Sequence, residues 1–87
     1  MPVVFSWEAA SLLANGDYRI PFQGESDEIE RCRALASGFF AEQASSVPYA
    51  QLVNFAIDGA AVLVTNVTPD TRPYVELALR SAAAGLD

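Results

Sequence analysis

The side chains with most chemical potential lie in one short stretch, from Glu25 to Arg33. Glu25, Asp27, Glu28 and Glu30 crowd carboxylates into "ESDEIE", a density that would suit a hard cation. Calcium takes about six to eight oxygens, usually from a loop of spaced carboxylates with a glycine in it, and that loop pattern is absent. Acids at the start of a helix are favoured by the helix dipole, and that is the reading adopted here. "RCR" then sets Cys32 between Arg31 and Arg33, and a neighbouring cation can make a thiol reactive. Consecutive helical residues point about 100° apart, however, and Cys32 shares a stripe with Ile29, Ala36 and Phe39. It reads as a buried structural cysteine, with no histidine anywhere to act as its base. Trp7, Tyr18, Tyr49 and Tyr74 either line a ligand pocket or sit in the core with their hydroxyls at its rim; the core reading is preferred.

Composition narrows the chemistry further. The chain has 87 residues, so a single domain over 1–87 is expected. It contains no histidine and no lysine, and its five basic residues are all arginine. That excludes a P-loop lysine, a Schiff-base lysine, a histidine general base and a histidine metal ligand. No catalytic, cofactor-binding or metal-binding residue is assigned, and a non-enzymatic protein is expected. The net charge of -6 argues against phosphate-contacting nucleic-acid binding, which needs a basic face. Cys32 is the only cysteine, so an intramolecular disulfide is excluded. No apolar run reaches membrane-helix length, and "MPVVFSWEAASLL" lacks the basic start of a signal peptide, so a cytoplasmic protein without a membrane role is expected. Hydrophobic residues make up 52% and charged residues 18%, which favours folding over disorder and implies apolar surface left over once one core is filled.

Several elements must position these residues. Val3–Phe5 reads as a short edge strand. "SWEAASLLANG" reads as a short helix, capped by Ser6, stopped by Asn15-Gly16, with Trp7, Ala10 and Ala14 on one side. "YRIPF" (Tyr18–Phe22) alternates like a strand, and Pro21 places it at a sheet edge. "ESDEIERCRALASGFFAEQA" is the strongest helix. Asp27 and Glu30 resemble a capping box, Ile29, Cys32, Ala36, Phe39 and Phe40 form its core stripe, Gly38 marks close packing or a weak point, and Val47-Pro48 ends it. "TPDTRPYVELALRSAAAG" is a second helix, with Pro73 at its first position, Asp70 or Thr71 as the cap, and Gly85 at its end. Arg72, Glu76 and Arg80 make a narrow charged stripe on it, leaving a wide apolar arc.

Between the helices, Tyr49–Ile57 and Ala60–Val67 read as a hairpin closed by Asp58-Gly59 in a type I′ turn. That turn pairs Ile57 with Ala60, Phe55 with Val62, Val53 with Val64 and Gln51 with Asn66. The Phe55/Ile57/Val62/Val64 face is the main core. The opposite face carries Ala50, Leu52, Asn54, Ala56, Ala61, Leu63, Thr65 and Val67, and a solvated sheet face would carry more charge than that. The expected fold is α+β: two layers, a mostly antiparallel sheet of 3–4 strands, helices mainly on one face, element order (β)αβαββα. The expected function is a small acidic protein-interaction module that self-associates, a homodimer being the simplest form, or that binds another protein. Leu52, Leu63, Thr65, Val67, Val75 and Leu79 are the interface candidates, with Ala50, Ala56 and Ala61 allowing close approach. The competing arrangement folds the Trp7-led helix over the second face within one chain. Two other functions stay open: an acidic inhibitor, such as an immunity protein, antitoxin or nucleic-acid mimic, and an accessory subunit of an enzyme.

Overall fold

A computed structural model describes residues 3–85 as an antiparallel five-stranded sheet with two helices. The strands are β1 (Val4–Phe5), β2 (Ser11–Leu12), β3 (Tyr18–Gln23), β4 (Asn54–Asp58) and β5 (Ala61–Thr65). The helices are α1 (Ser26–Gln43) and α2 (Arg72–Gly85). The sheet order is β1-β3-β5-β4, with β2 also paired to β3. The expected α+β class holds. The sheet is larger than the 3–4 strands anticipated, because the segment read as the first helix contributes a strand instead.

The reason lies at Pro21. In an antiparallel ladder a residue's N–H and C=O point to the same neighbour. Phe22 N–H donates to Ala60 O at 3.0 Å, so Tyr18, Ile20 and Phe22 face β5, while Arg19, Pro21 and Gln23 face the other side. There, Ser6 N–H donates to Pro21 O at 2.9 Å. The return bond to Ser6 O cannot form, because proline has no N–H. Ser6 O accepts the Ala9 N–H at 3.0 Å instead and starts a single 3₁₀ turn, Trp7–Ala9. Ala10 returns to extended geometry (φ -69°, ψ 142°), and Ser11 and Leu12 rejoin the ladder opposite Arg19 and Tyr18. Asn15-Gly16 is then a hairpin turn rather than a helix stop, with Gly16 at φ +92°. So β3 is an interior strand, and Pro21 sits where its neighbour leaves the sheet.

The β4–β5 hairpin keeps the expected faces in a different register. Asp58 pairs with Ala61, Ile57 with Val62, Ala56 with Leu63 and Phe55 with Val64. The turn is Gly59-Ala60, and only Gly59 has positive φ (+61°), which is type II′ geometry rather than I′. The shift is by two, so side-chain parity survives and Phe55, Ile57, Val62 and Val64 still share one face. The predicted strand start fails at Tyr49, whose left-handed backbone (φ +65°) opens a 3₁₀ turn over Ala50–Leu52. Asn66, also left-handed (φ +61°), ends β5 and donates its Nδ2 to Leu52 O at 3.0 Å.

The inner sheet face combines Phe5, Tyr18, Ile20, Phe55, Val62 and Val64 with the buried stripe Ile29, Cys32, Ala36 and Phe40 of α1. Phe40 packs edge-on to Phe55, with ring centroids 5.5 Å apart. Phe39 is only partly buried. The capping box does not form: Glu25 is the cap position without a side-chain bond, and Glu30 turns to Arg33. At α2, Thr68 and Thr71 exchange bonds, each hydroxyl accepting the other's N–H at 2.8 and 3.2 Å. Thr68 is therefore the acceptor expected of Asp70 or Thr71, and Pro73 lies inside the helix rather than at its start position. α2 packs along α1 and buries Val75, Ala78, Leu79 and Ala82.

Two stability measurements check this packing. Phe40→Ala should cost about 3–5 kcal/mol, and Phe39→Ala clearly less, in denaturant titrations. Gly38 is exposed in mid-helix with open space where a Cβ would be. Gly38→Ala should therefore raise stability by about 0.5–1 kcal/mol, and a destabilised variant would contradict the open environment.

Candidate interaction surface

The reactive-looking residues resolve into structural roles. Cys32 is 0% exposed, and burial pushes its thiol up to about 11, the opposite of an activated thiolate. Arg31 and Arg33 flank it in sequence, but Arg33 is turned to Glu30 Oε1 (Nε at 2.9 Å). The Glu25–Glu30 acids surround the first turn of α1, and no group of metal-ligating side chains is found among the described residues. Tyr18 is 1% exposed; its hydroxyl donates to Glu76 Oε2 at 2.6 Å, and the Arg72 guanidinium lies 5.1 Å from its ring centre. Burial first, then the Glu76 carboxylate, raise the Tyr18 phenol above its ordinary value, against the pull of Arg72. The Arg72/Glu76/Arg80 stripe is thus not simply solvated. It joins α2 to the inner side of the sheet, with Arg80 4.6 Å over the Trp7 ring.

That contact also locates Trp7. It packs against Phe5 (centroids 5.5 Å apart) beneath α2, on the helix side of the sheet. The arrangement in which a Trp7-led helix covers the second face is therefore overturned, because Pro21 breaks the edge strand into a 3₁₀ turn that points its aromatic to α2.

The outer face is read from the ladder registers. It carries Val4, Ser11, Arg19, Pro21 and Gln23 with Ala61, Leu63 and Thr65 of β5 and Asn54, Ala56 and Asp58 of β4. Arg19 and Asp58 are the only charged residues among them, and they pair with each other, Nη1 to Oδ2 at 2.6 Å. From the register this pair crosses β5 diagonally between Leu63 and Ala61. Ala61 is 1% exposed beneath it, whereas Leu63, Thr65, Ala56 and Pro21 are half-buried and Val4 is 57% exposed. A surface ion pair of this kind adds little stability, so its main effect is to make the face electrically neutral.

The interface candidates separate accordingly. Leu63 and Thr65 lie together on this face. Leu52 is 54% exposed but belongs to the 3₁₀ turn before β4. Val67 is 5% exposed and Val75 and Leu79 are 0% exposed, all three within the chain's own core, which removes them from any surface between chains. Ala50 is also buried, off the strand. Arg19, Pro21, Asp58 and Val4 were missed as members of the face. The alternation of "YRIPF" carries the signal for two of them, since Arg19 and Pro21 oppose Tyr18, Ile20 and Phe22. An open cleft of about 660 Å³ lies at one end of the inner face, lined by Phe22, Ile29, Ile57 and Ala60 together with the polar side chains of Gln23, Ser26 and Glu30.

Among the described residues no helix is long and apolar enough to cross a membrane. Comparison of the chain with protein-family models, with curated proteins and with solved structures finds no match in any of the three.

The thiol makes the site assignment testable. Cys32 in native protein should react with a thiol reagent only as fast as the chain opens, and denaturant should accelerate labelling by orders of magnitude. Rapid native-state labelling would restore the reactive-cysteine reading.

Proposed function

We propose that this chain is a non-enzymatic protein-interaction module that self-associates through the outer face of its sheet. The observation that carries this reading is the neutral strip of half-buried Pro21, Ala56, Leu63 and Thr65 around the Arg19–Asp58 pair, which neither helix nor the Trp7 turn covers. Sheets pack face to face about 10 Å apart, and the small Ala56 beside Leu63 permits that approach, with the Arg19–Asp58 pair lying over Ala61. A two-fold arrangement suits it, since one self-complementary patch then serves both copies. In such a pair each copy brings its own bonded Arg19–Asp58 pair, so the contact carries no net charge.

Leu63→Glu and, independently, Ala56→Arg place charges of opposite sign in the strip without touching the inner core. Sedimentation and circular dichroism should show each variant shifting from dimer to monomer with its helical signal retained. Wild-type protein that stays a monomer at the highest attainable concentration overturns self-association.

A further inference from the structure

The open edge of the sheet carries a second feature, on a different surface from the outer face. β4 ends the strand order, and the Asp58–Ala61 pair flanking the two-residue turn turns the main-chain groups of Asn54, Ala56 and Asp58 toward β5. Those of Phe55 and Ile57 therefore point away from the sheet, and an added strand would pair with them. Exposed edges of this kind invite pairing with another chain, and proteins blunt them with lysines, prolines, bulges or a covering element. This chain has no lysine, and β4 has no proline or bulge. The opposite edge is already broken, because β1 and β2 are two-residue strands separated by the 3₁₀ turn.

We infer that Arg33 guards the β4 edge: its guanidinium occupies one of the acceptors an incoming strand would use, the Phe55 carbonyl, and Glu30 holds it in place. Arg33 stands on α1, which lies against β4, and its Nη1 donates to Phe55 O at 3.3 Å. Its Nε donates to Glu30 Oε1 at 2.9 Å, and Nη2 binds the same oxygen. Holding one guanidinium by two of its nitrogens fixes the plane of the third, which is the geometric advantage arginine has over a point charge. The carbonyl of Phe55 thus has a donor from its own chain. A second copy's β4, the nearest identical edge, would have to displace a positioned arginine to gain that bond. The guard confines association to surfaces other than the sheet edge and does not depend on the outer-face reading.

The test uses the full chain. Arg33→Met keeps the aliphatic stem and removes the donors, and it makes the chain one charge more negative, which by itself opposes association. Sedimentation should nevertheless show a species of twice the wild-type mass or larger, whether the wild type is a monomer or a dimer. In that species the Phe55 and Ile57 amides should exchange about tenfold or more slowly than in wild type. Glu30→Gln should move both readouts the same way by less. Arg31→Met removes the same charge from a neighbouring position and should match wild type. A denaturant titration of Arg33→Met guards against association of unfolded chains: association must persist under conditions where the variant is fully folded. Unchanged mass, or a larger species with unprotected Phe55 and Ile57 amides, overturns the inference.

Discussion

A five-stranded sheet has two faces, and this chain has helix enough for one. α1 packs against the inner face, α2 packs along α1 and reaches the sheet through Glu76 on Tyr18, and together they enclose nearly every large buried side chain, from Ile20 and Phe55 to Leu79. The rest of the structure is arranged around that imbalance. Tyr18 shows how fully the inner layer is committed: it sits in the core at 1% exposure, and its hydroxyl still reaches a carboxylate on α2. No buried side-chain nitrogen or oxygen is left without a partner among the described residues. A chain this small has a narrow stability margin, so polar groups in its core have to be satisfied.

The same economy governs the sheet's edges. Proline in an interior strand normally forfeits a ladder bond. Here the forfeited bond coincides with the point where the neighbouring strand departs, so β3 loses nothing and the edge strand acquires a 3₁₀ turn. That turn delivers Trp7 to Arg80 and Phe5, giving α2 a second anchor beyond Glu76–Tyr18. One missing N–H thus links edge geometry to helix packing.

Side-chain parity made much of this legible in the sequence. The inner residues of β3, β4 and β5 and the Ile29/Cys32/Ala36/Phe39/Phe40 stripe follow from period, a register error of two does not disturb the former, and only Phe39 of the latter is left partly buried. Features set by non-local partners were not legible. "SWEAASLLANG" has alanine and leucine enough for a helix, but pairing with β3 outweighs that local preference. Pro21 requires only that no acceptor oppose its nitrogen, which an edge position satisfies and so does a broken neighbour; periodicity does not separate the two. Asp58-Gly59 signalled a type I′ turn, yet glycine fits the first position of type II′ equally, and Asp58 is then kept in the strand within reach of Arg19. The apolar arc of α2 looked surplus because nothing local revealed that α1 would lie along it. On the outer face, Leu63 and Thr65 follow from alternation within the hairpin, and the alternation of "YRIPF" sets Arg19 and Pro21 opposite Tyr18, Ile20 and Phe22 without showing that they lie beside β5.

Charge placement gives the outer face its meaning on the proposed reading. A chain of net charge -6 repels its own copies, and that repulsion is strongest where the acids concentrate, at the first turn of α1. Three of the four other arginines are engaged within the chain, Arg33 on Glu30, Arg72 on Glu76 and Arg80 on Trp7, while Arg31 is exposed on α1. The strand positions of the outer face hold one cation and one anion, mutually bonded, around a strip of small residues. Two copies that meet there bring no unbalanced charge into contact, and the acids remain at a distance where salt screens them. Self-repulsion and the neutral strip therefore act in the same direction: the first discourages contacts over the acidic remainder of the surface, and the second leaves one place where contact costs little electrostatically.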